Sequence, residues 1–449
     1  MNRFLAPLLL PVLCVASVAA QISKAGRSYL SVTAVPTHAD ANYHVGETGA
    51  VRLLASAGGV GLDNVTVRFE AGMDNCKADT SGTVCFSNGE ALVCFGTSRQ
   101  PGFRYCNLSF KVGEEGVHET VKVGFDPWLI QPATEEPADF DRFWSKTLKQ
   151  AAKAPMVYEL EDEPQYTTDR VEAFRVKLQS YEKGHFIYGY LLKPRDGEKH
   201  PVLFNPPGAG VKRIGVSSEY AEAGYIIFSI GINGFPMNVS DGQLAEERRL
   251  KTNYETCGLE SPDKHYLRKV YASCVRCIDF LVSLPDWDGQ NVGVTGGSQG
   301  GALTIVTAGL DGRVTFLAAF YPALCNLSGY LKGTTGGWPN FARNGKTLMN
   351  RPKTGPGLYD YALTGESVDT ETAVNTLSYY DVDFFARRVK APGFYSFGYN
   401  DNTCAPTSTW SAYNQVTAPK QLVVTPSSGH WRFPETQAVC LKWMAGQLK

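Results

Sequence analysis

Residues 291–306 read NVGVTGGSQGGALTIV: a short apolar run, a Gly-x-Ser-x-Gly pentapeptide with a further glycine behind it, and an apolar stretch that suits a helix. A strand that turns sharply into a helix holds a serine hydroxyl exposed at its apex. The turn leaves no room for Cβ atoms on either side, so Gly296 and Gly300 answer a steric requirement. The apex residue takes an unfavourable backbone conformation, at a cost of roughly 1–3 kcal/mol that the surrounding fold must hold. Alone, the pentapeptide is also compatible with an ordinary glycine-rich turn. Its flanks are what make Ser298 a candidate nucleophile.

Outward from this stretch, strands and helices alternate. PVLF (201–204), YIIFSI (225–230), NVGVT (291–295), VTFLAAF (314–320), GFYSFG (393–398) and QLVV (421–424) are continuous apolar runs. Such runs belong to strands buried on both faces, as in a mainly parallel sheet covered by helices. A helix is expected over about 138–154, with Phe140, Phe143, Trp144, Leu148 and Ala151 on one stripe. A second helix, over about 266–284, carries Leu267, Val270, Tyr271, Cys274, Ile278 and Leu281 at helical spacing. Cys274 and Cys277 therefore read as buried small side chains rather than as half of a zinc or redox site, since no second Cys or His pair lies near them.

The N-terminal part reads differently. Seven short β-branched and aromatic runs between about Ser28 and Phe125, with an Asn88-Gly89 hairpin signal, predict an immunoglobulin-like β-sandwich over residues 21–126. DPWLIQPATEEP (126–137) is proline-rich and acidic, so 127–137 is expected to be a linker and 138–449 a separate α/β domain. MNRFLAPLLLPVLCVASVAA (1–20) has the pattern of a signal peptide with cleavage after Ala19 or Ala20, which predicts a secreted or periplasmic protein. No other stretch is long and apolar enough to span a bilayer. Of the eleven cysteines, Cys14 falls in the leader and ten remain, an even number in an oxidising compartment. The net charge is −1 without any run of Lys or Arg, so neither a nucleic acid nor an anionic membrane is indicated as a partner.

In an α/β-hydrolase the triad runs Ser, then Asp or Glu, then His along the chain. Of the seven histidines only His430 lies beyond Ser298, in the loop PSSGHW (426–431) directly after the last expected strand. Eight carboxylates lie between the two, and only Asp401 immediately follows an apolar strand, GFYSFG; Asp383 is the fallback. Asp401 is also a natural Asx-turn residue within Tyr399–Asn402. An oxyanion hole needs two backbone N–H donors, one from Gln299, after the nucleophile, and one from the loop after an earlier strand, here 205–210. Two prolines there have no N–H, which leaves Ala209, or Gly208, as the donor. Serine chemistry of this kind requires neither a metal nor an organic cofactor.

With these residues placed, the region from about Ala138 to the C-terminus resembles the cephalosporin-C deacetylase and acetyl xylan esterase family of α/β-hydrolases. DFDRFW (139–144) is similar to the family's leading helix, GQNVGVTGGSQGG (289–301) to its nucleophile block, and YNDNTCAPTSTWSAYN (399–414) to its acid-bearing segment. The chain has Pro207-Gly208-Ala209-Gly210 where the family carries His-Gly-Tyr-Gly, and His430-Trp431 where it carries His-Glu. The resemblance implies Ser298, Asp401 and His430 as the triad, and removal of acetyl groups from xylo-oligosaccharides, simple acetate esters and the acetoxymethyl of cephalosporin C. It also brings a hexameric assembly, so a homo-oligomer is among the expected partners. Trp338, Trp410, Trp431 and Phe235 lie in loops within reach of such a site; Trp431 and Phe235 are taken as the substrate-facing aromatics. A peptidase or longer-chain esterase with the same triad, and a carbohydrate-binding protein with an inactive hydrolase domain, are the competing readings.

Overall fold

The computed structural model describes residues 29–251, 254–341 and 368–449; the expected leader, 1–20, lies outside them. The chain divides into two compact units. One runs up to Phe125 without 74–76 and 101–103; the other comprises Asp74–Cys76, Pro101–Phe103 and Asp126–Lys449.

Among its described residues the first unit is built of strands. Leu30–Pro36, Ala50–Ala57, Val60–Gly61 and Glu90–Cys94 form a four-stranded sheet. Asn42–Tyr43, Glu115–Phe125, Gly102–Val112, Thr66–Met73 and Thr80–Cys85 form a five-stranded one. Leu30–Pro36, Val60–Gly61 and Glu90–Cys94 pair antiparallel with Ala50–Ala57, Thr66–Met73 pairs antiparallel with both of its neighbours, and Asn42–Tyr43 pairs parallel. Ala50–Ala57 buries Val51, Leu53 and Ala55, and Glu90–Cys94 buries Ala91 and Val93. The hairpin signal is realised: Asn88 (φ 50°) and Gly89 (φ 83°) both take the left-handed region that a two-residue turn demands, and Ser87 and Glu90 exchange backbone hydrogen bonds across it.

The second unit holds a nine-stranded sheet. Its strands are β1 (Tyr158–Asp162), β2 (Val171–Gln179), β3 (Phe186–Pro194), β4 (His200–Asn205), β5 (Ile226–Gly231), β6 (Trp287–Gly297), β7 (Phe316–Phe320), β8 (Gly393–Gly398) and β9 (Lys420–Thr425). They lie in the order β1-β2-β3-β5-β4-β6-β7-β8-β9. The pairs β1–β2, β2–β3 and β3–β5 are antiparallel; from β5 to β9 the sheet is parallel. The helices are α1 (Phe140–Ala151), α2 (Glu219–Glu222), α3 (Asp241–Lys251), α4 (Leu267–Leu281), α5 (Gln299–Leu310), α6 (Thr370–Ser378), α7 (Val382–Ala386), α8 (Pro406–Gln415) and α9 (Pro434–Ala445).

The strands from β4 onward read as continuous apolar runs because both faces are covered. Val202 and Phe204 of β4 join the core that contains Tyr271, Cys274 and Ile278 of α4, while Leu203 faces the opposite core with Tyr220 of α2 and Met444 of α9. The expected helix over 138–154 is α1, whose Trp144 stacks on Tyr271 at 5.5 Å and donates its indole N–H to the Tyr379 carbonyl at 3.0 Å. Cys274 and Cys277 are buried on α4, and desolvation pushes the Cys274 thiol up to about 12. Among the described residues the ten cysteines form no disulfide, so none of the pairings that an oxidising compartment allows is made there.

The stretch expected to be a linker is a fixed part of the second unit. Pro127–Leu129 form a 3₁₀ turn, Asn414 donates to the Pro127 and Ile130 carbonyls at 2.9 and 3.0 Å, and Glu136 pairs with Arg388 at 2.6 Å. Proline and acidic residues suggest a free tether in the sequence; here the acid has an arginine partner and Ile130 is buried. No described helix is long and apolar enough to cross a membrane.

Candidate active site

β6 ends at Gly297 and α5 begins at Gln299, with Ser298 between them at φ 61°, ψ −126°. This is the strained apex that the sequence predicts, and it is over-determined by its surroundings. The Ser298 amide donates to the Phe320 carbonyl at 3.0 Å, and the Ser298 carbonyl accepts from Ala302 and Ala323 at 3.1 and 3.0 Å. A Cβ at Gly296 would stand 2.6 Å from the Gly300 backbone, and one at Gly300 would stand 2.5 Å from the Pro206 carbonyl oxygen. The second clash shows that the loop after β4 lies directly against the start of α5.

The structure brings Ser298, His430 and Asp401 together. His430 Nε2 is 3.0 Å from Ser298 Oγ, and His430 Nδ1 is 2.7 Å from Asp401 Oδ2. A carboxylate only accepts, so the bond to Asp401 sets the proton on Nδ1 and turns the Nε2 lone pair toward the serine hydroxyl. Asp401 is fully buried, and its other oxygen accepts from the backbone amides of Thr403 and Cys404 at 2.8 and 2.9 Å. The Asx-turn and the histidine contact are thus simultaneous, one per carboxylate oxygen. The fallback acid is engaged elsewhere: Asp383 accepts from the Asn326 amide at 3.1 Å and from the Ser411 hydroxyl. Asp401, Cys404 and His430 each offer a metal-ligand atom within 4.8 Å of the others. The Asp401 and His430 atoms already meet in their hydrogen bond, and burial holds the Cys404 thiol well above its ordinary range.

Gln299 opens α5, so its N–H has no partner within the helix. Loop 206–210 runs beside it, with Ala209 half-buried. The two backbone donors expected of an oxyanion hole therefore come from adjoining segments at the apex.

The aromatic candidates separate. Trp431 is 48% exposed and follows His430 directly, its ring edge-on to Phe433 at 4.2 Å. Phe235, expected to face substrate, is instead 3% exposed and carries the Lys251 ammonium 5.3 Å from its ring centre. A loop position in the sequence does not prevent an aromatic from being packed inward. Trp410 is likewise buried, edge-on to Phe397 and Tyr413, and Trp338 packs against the main core. One neighbour of the site has no sequence signal: Tyr321, at φ 33°, sets its ring 4.7 Å from that of His430. A Cβ at Gly297 would meet its hydroxyl at 2.8 Å.

Comparison with known proteins adds relatives to this geometry. Residues 129–336 and 358–447 match the family model described as acetyl xylan esterase (AXE1). The chain is 41% identical over 428 residues to acetyl esterase Axe7A of Xylanibacter ruminicola, covering 94% of this chain and 91% of that protein. Among solved structures it is similar to an acetyl xylan esterase from Paenibacillus sp. R4, with TM-score 0.60 and 24% identity, covering 72% of this chain and 98% of that one. It is also similar to acetyl xylan esterase 1 from Thermoanaerobacterium sp. JW/SL YS485, with TM-score 0.59, 20% identity and the same coverage of both chains. At these identities the two solved structures speak for the α/β-hydrolase fold.

Proposed function

This chain belongs to the acetyl xylan esterase family of carboxylic-ester hydrolases, and from that premise we propose that it removes acetate from acetylated xylo-oligosaccharides through a serine acyl-enzyme. The observation that carries the mechanism is the relay from Asp401 through His430 to Ser298, at 2.7 and 3.0 Å, on a strained strand-to-helix turn.

In this reading Ser298 Oγ attacks the acetyl carbonyl carbon while His430 Nε2 takes the hydroxyl proton. The negative charge on the former carbonyl oxygen is met by the N–H groups of Gln299 and Ala209. Asp401 holds the imidazole in the tautomer that accepts the proton and stabilises the imidazolium that results. The carbon–oxygen bond to the sugar then breaks, and the leaving oxygen takes the proton from His430. Water adds to the acetyl-serine with the same histidine as base, acetic acid leaves, and the serine proton is restored. Trp431, exposed beside His430, supplies an aromatic face for a sugar ring. The acetoxymethyl of cephalosporin C is an acetate ester of the same kind.

We also propose that residues 1–20 direct export and are removed, on the strength of Arg3, the apolar run and the Ser17-Val18-Ala19-Ala20 end. N-terminal sequencing of the protein recovered outside the cytoplasm tests this; a retained Met1 would refute it.

The activity test is acetate release from acetylated xylo-oligosaccharides, with Ser298→Ala as control, beside aryl acetate, butyrate and octanoate. Release abolished by Ser298→Ala, with acetate preferred, is expected. Preference for octanoate, or no release while another acyl ester is turned over, would contradict the substrate assignment.

A further inference from the structure

We propose that Tyr254 is a positioning residue that locks the two halves of the oxyanion hole to each other. The inference rests on the serine-esterase reading above and goes beyond it, because the Tyr254 hydroxyl bonds to Gly210 and Gln299 rather than to a member of the triad.

The two donors assigned to the developing oxyanion sit on segments far apart in sequence: Gln299 opens α5, and Ala209 lies in the loop after β4. An oxyanion hole works only if both N–H groups already point at the position the oxygen will occupy, so something must fix the loop against the helix. In the described residues a single hydroxyl links them. Tyr254, 3% exposed, accepts from the Gly210 amide at 3.1 Å and donates to Gln299 Oε1 at 2.9 Å.

The same peptide segment is gripped from its other side. The Gly210 carbonyl accepts from Asn233 Nδ2 at 3.0 Å, and the Asn233 carbonyl accepts from the buried Lys251 ammonium at 2.6 Å. Gly210 itself has φ 106°, in the region that L side chains rarely adopt, so its N–H and C=O are presented in directions that only glycine reaches without strain. Ala209, the neighbour of this clamped glycine, is thereby held in one orientation. Gln299 is fully buried, and its side-chain oxygen has the phenol as donor. The clamp therefore acts on the donor after the nucleophile as well as on the loop donor.

This gives a physical reason for a tyrosine in the interior. Burial raises the phenol well above its ordinary range, so it stays a neutral hydroxyl that can accept from one partner and donate to the other at the same time. Phenylalanine would fill the same space but leave the Gly210 N–H and Gln299 Oε1 without their shared partner.

Tyr254→Phe in the full-length protein tests the proposal, with aryl acetate as substrate. Deleting an oxyanion donor outright typically costs about 10²–10³ in rate, so misaiming donors that remain should lower kcat by about 10- to 100-fold with KM nearly unchanged. Inactivation by an aryl phosphonate ester, which forms a tetrahedral anionic adduct on the serine, should slow in parallel. The pH profile of kcat/KM should keep its shape, since His430 is untouched. Gln299→Met removes the other end of the same link while keeping the backbone N–H. It should lower kcat similarly, and the double variant should be no worse than about either single one. It also serves if Tyr254→Phe fails to fold. A folded Tyr254→Phe or Gln299→Met with kcat and phosphonate reactivity within about twofold of the unaltered protein would overturn the clamp. So would full additivity of the two changes. An active Ser298→Ala would instead overturn the serine-esterase reading, which keeps the two failures distinct.

Discussion

Asp401→Asn is the perturbation that separates geometry from chemistry most cleanly. Asp401 uses both oxygens: Oδ1 takes two backbone N–H bonds from Thr403 and Cys404 at 2.8 and 2.9 Å, and Oδ2 takes His430 Nδ1 at 2.7 Å. Asparagine keeps one carbonyl oxygen, which the two backbone donors claim, and turns its NH₂ toward the imidazole. A donor facing Nδ1 forces the other tautomer, with the proton on Nε2 pointing at Ser298 Oγ, and a protonated Nε2 cannot act as base. The substitution leaves the loop and the side-chain volume in place, so the folded structure should persist. Wrong-tautomer variants of this kind lose about 10⁴ in kcat, which corresponds to about 5 kcal/mol of transition-state stabilisation. The assay is kcat for aryl acetate hydrolysis, with near-UV circular dichroism and a thermal melt to confirm folding. A folded Asp401→Asn protein within tenfold of the original kcat would show that Asp401 is only the Asx-turn residue its sequence also fits.

Other consequences follow from single features. Gly300→Ala drives a Cβ to 2.5 Å from the Pro206 carbonyl, so it should destabilise by about 1–3 kcal/mol and lower kcat as the loop carrying Ala209 is pushed off α5, read by urea denaturation and aryl acetate kinetics. Burial pushes both Asp381 and Asp383 up, Asp383 to about 7, since the two carboxyls share one desolvated site beside the chain at Asn326 and Leu327. Folded pKa values above the unfolded ones mean that this contribution to stability is full below the ordinary carboxylate range and is lost as pH rises through about 7. The melting temperature should decline over that interval, and less steeply in Asp383→Asn. Trp431→Ala removes an exposed ring, so it should raise KM for acetylated xylo-oligosaccharides several-fold and move KM for a small aryl acetate much less; equal shifts on both would contradict a sugar-facing role.

The parts of the fold that were legible are those whose residues face apolar surroundings on every side. From β4 onward the strands read as unbroken apolar runs because Val202 and Phe204 enter one core and Leu203 the other. The antiparallel strands β1 to β3 gave no such signal: Tyr158–Asp162 is exposed along its whole length, and Val171–Gln179 mixes charges with apolar residues. Helix α3 was equally silent, since among its residues only Leu244 and Lys251 are buried. The three residues that meet at the elbow were accessible through chain order, because one histidine and one well-placed aspartate follow Ser298. The surroundings of that site were not. Tyr254 and Tyr321 act through contacts with residues far away in sequence, and no spacing encodes them. Phe235 shows the converse, a loop aromatic that is buried, with the Lys251 ammonium beside its ring.

The central claim is that an acetyl group passes through the Ser298 hydroxyl. Rapid quenching in acid during turnover of an acetylated xylo-oligosaccharide, followed by peptide mass mapping, tests it directly. One acetyl group on the peptide containing Ser298, absent from Ser298→Ala and accumulating when water attack is slowed, is the predicted result. Acetate release at full rate with no adduct at Ser298 in a trap that captures other acyl-enzymes, or an adduct on a different residue, would contradict it.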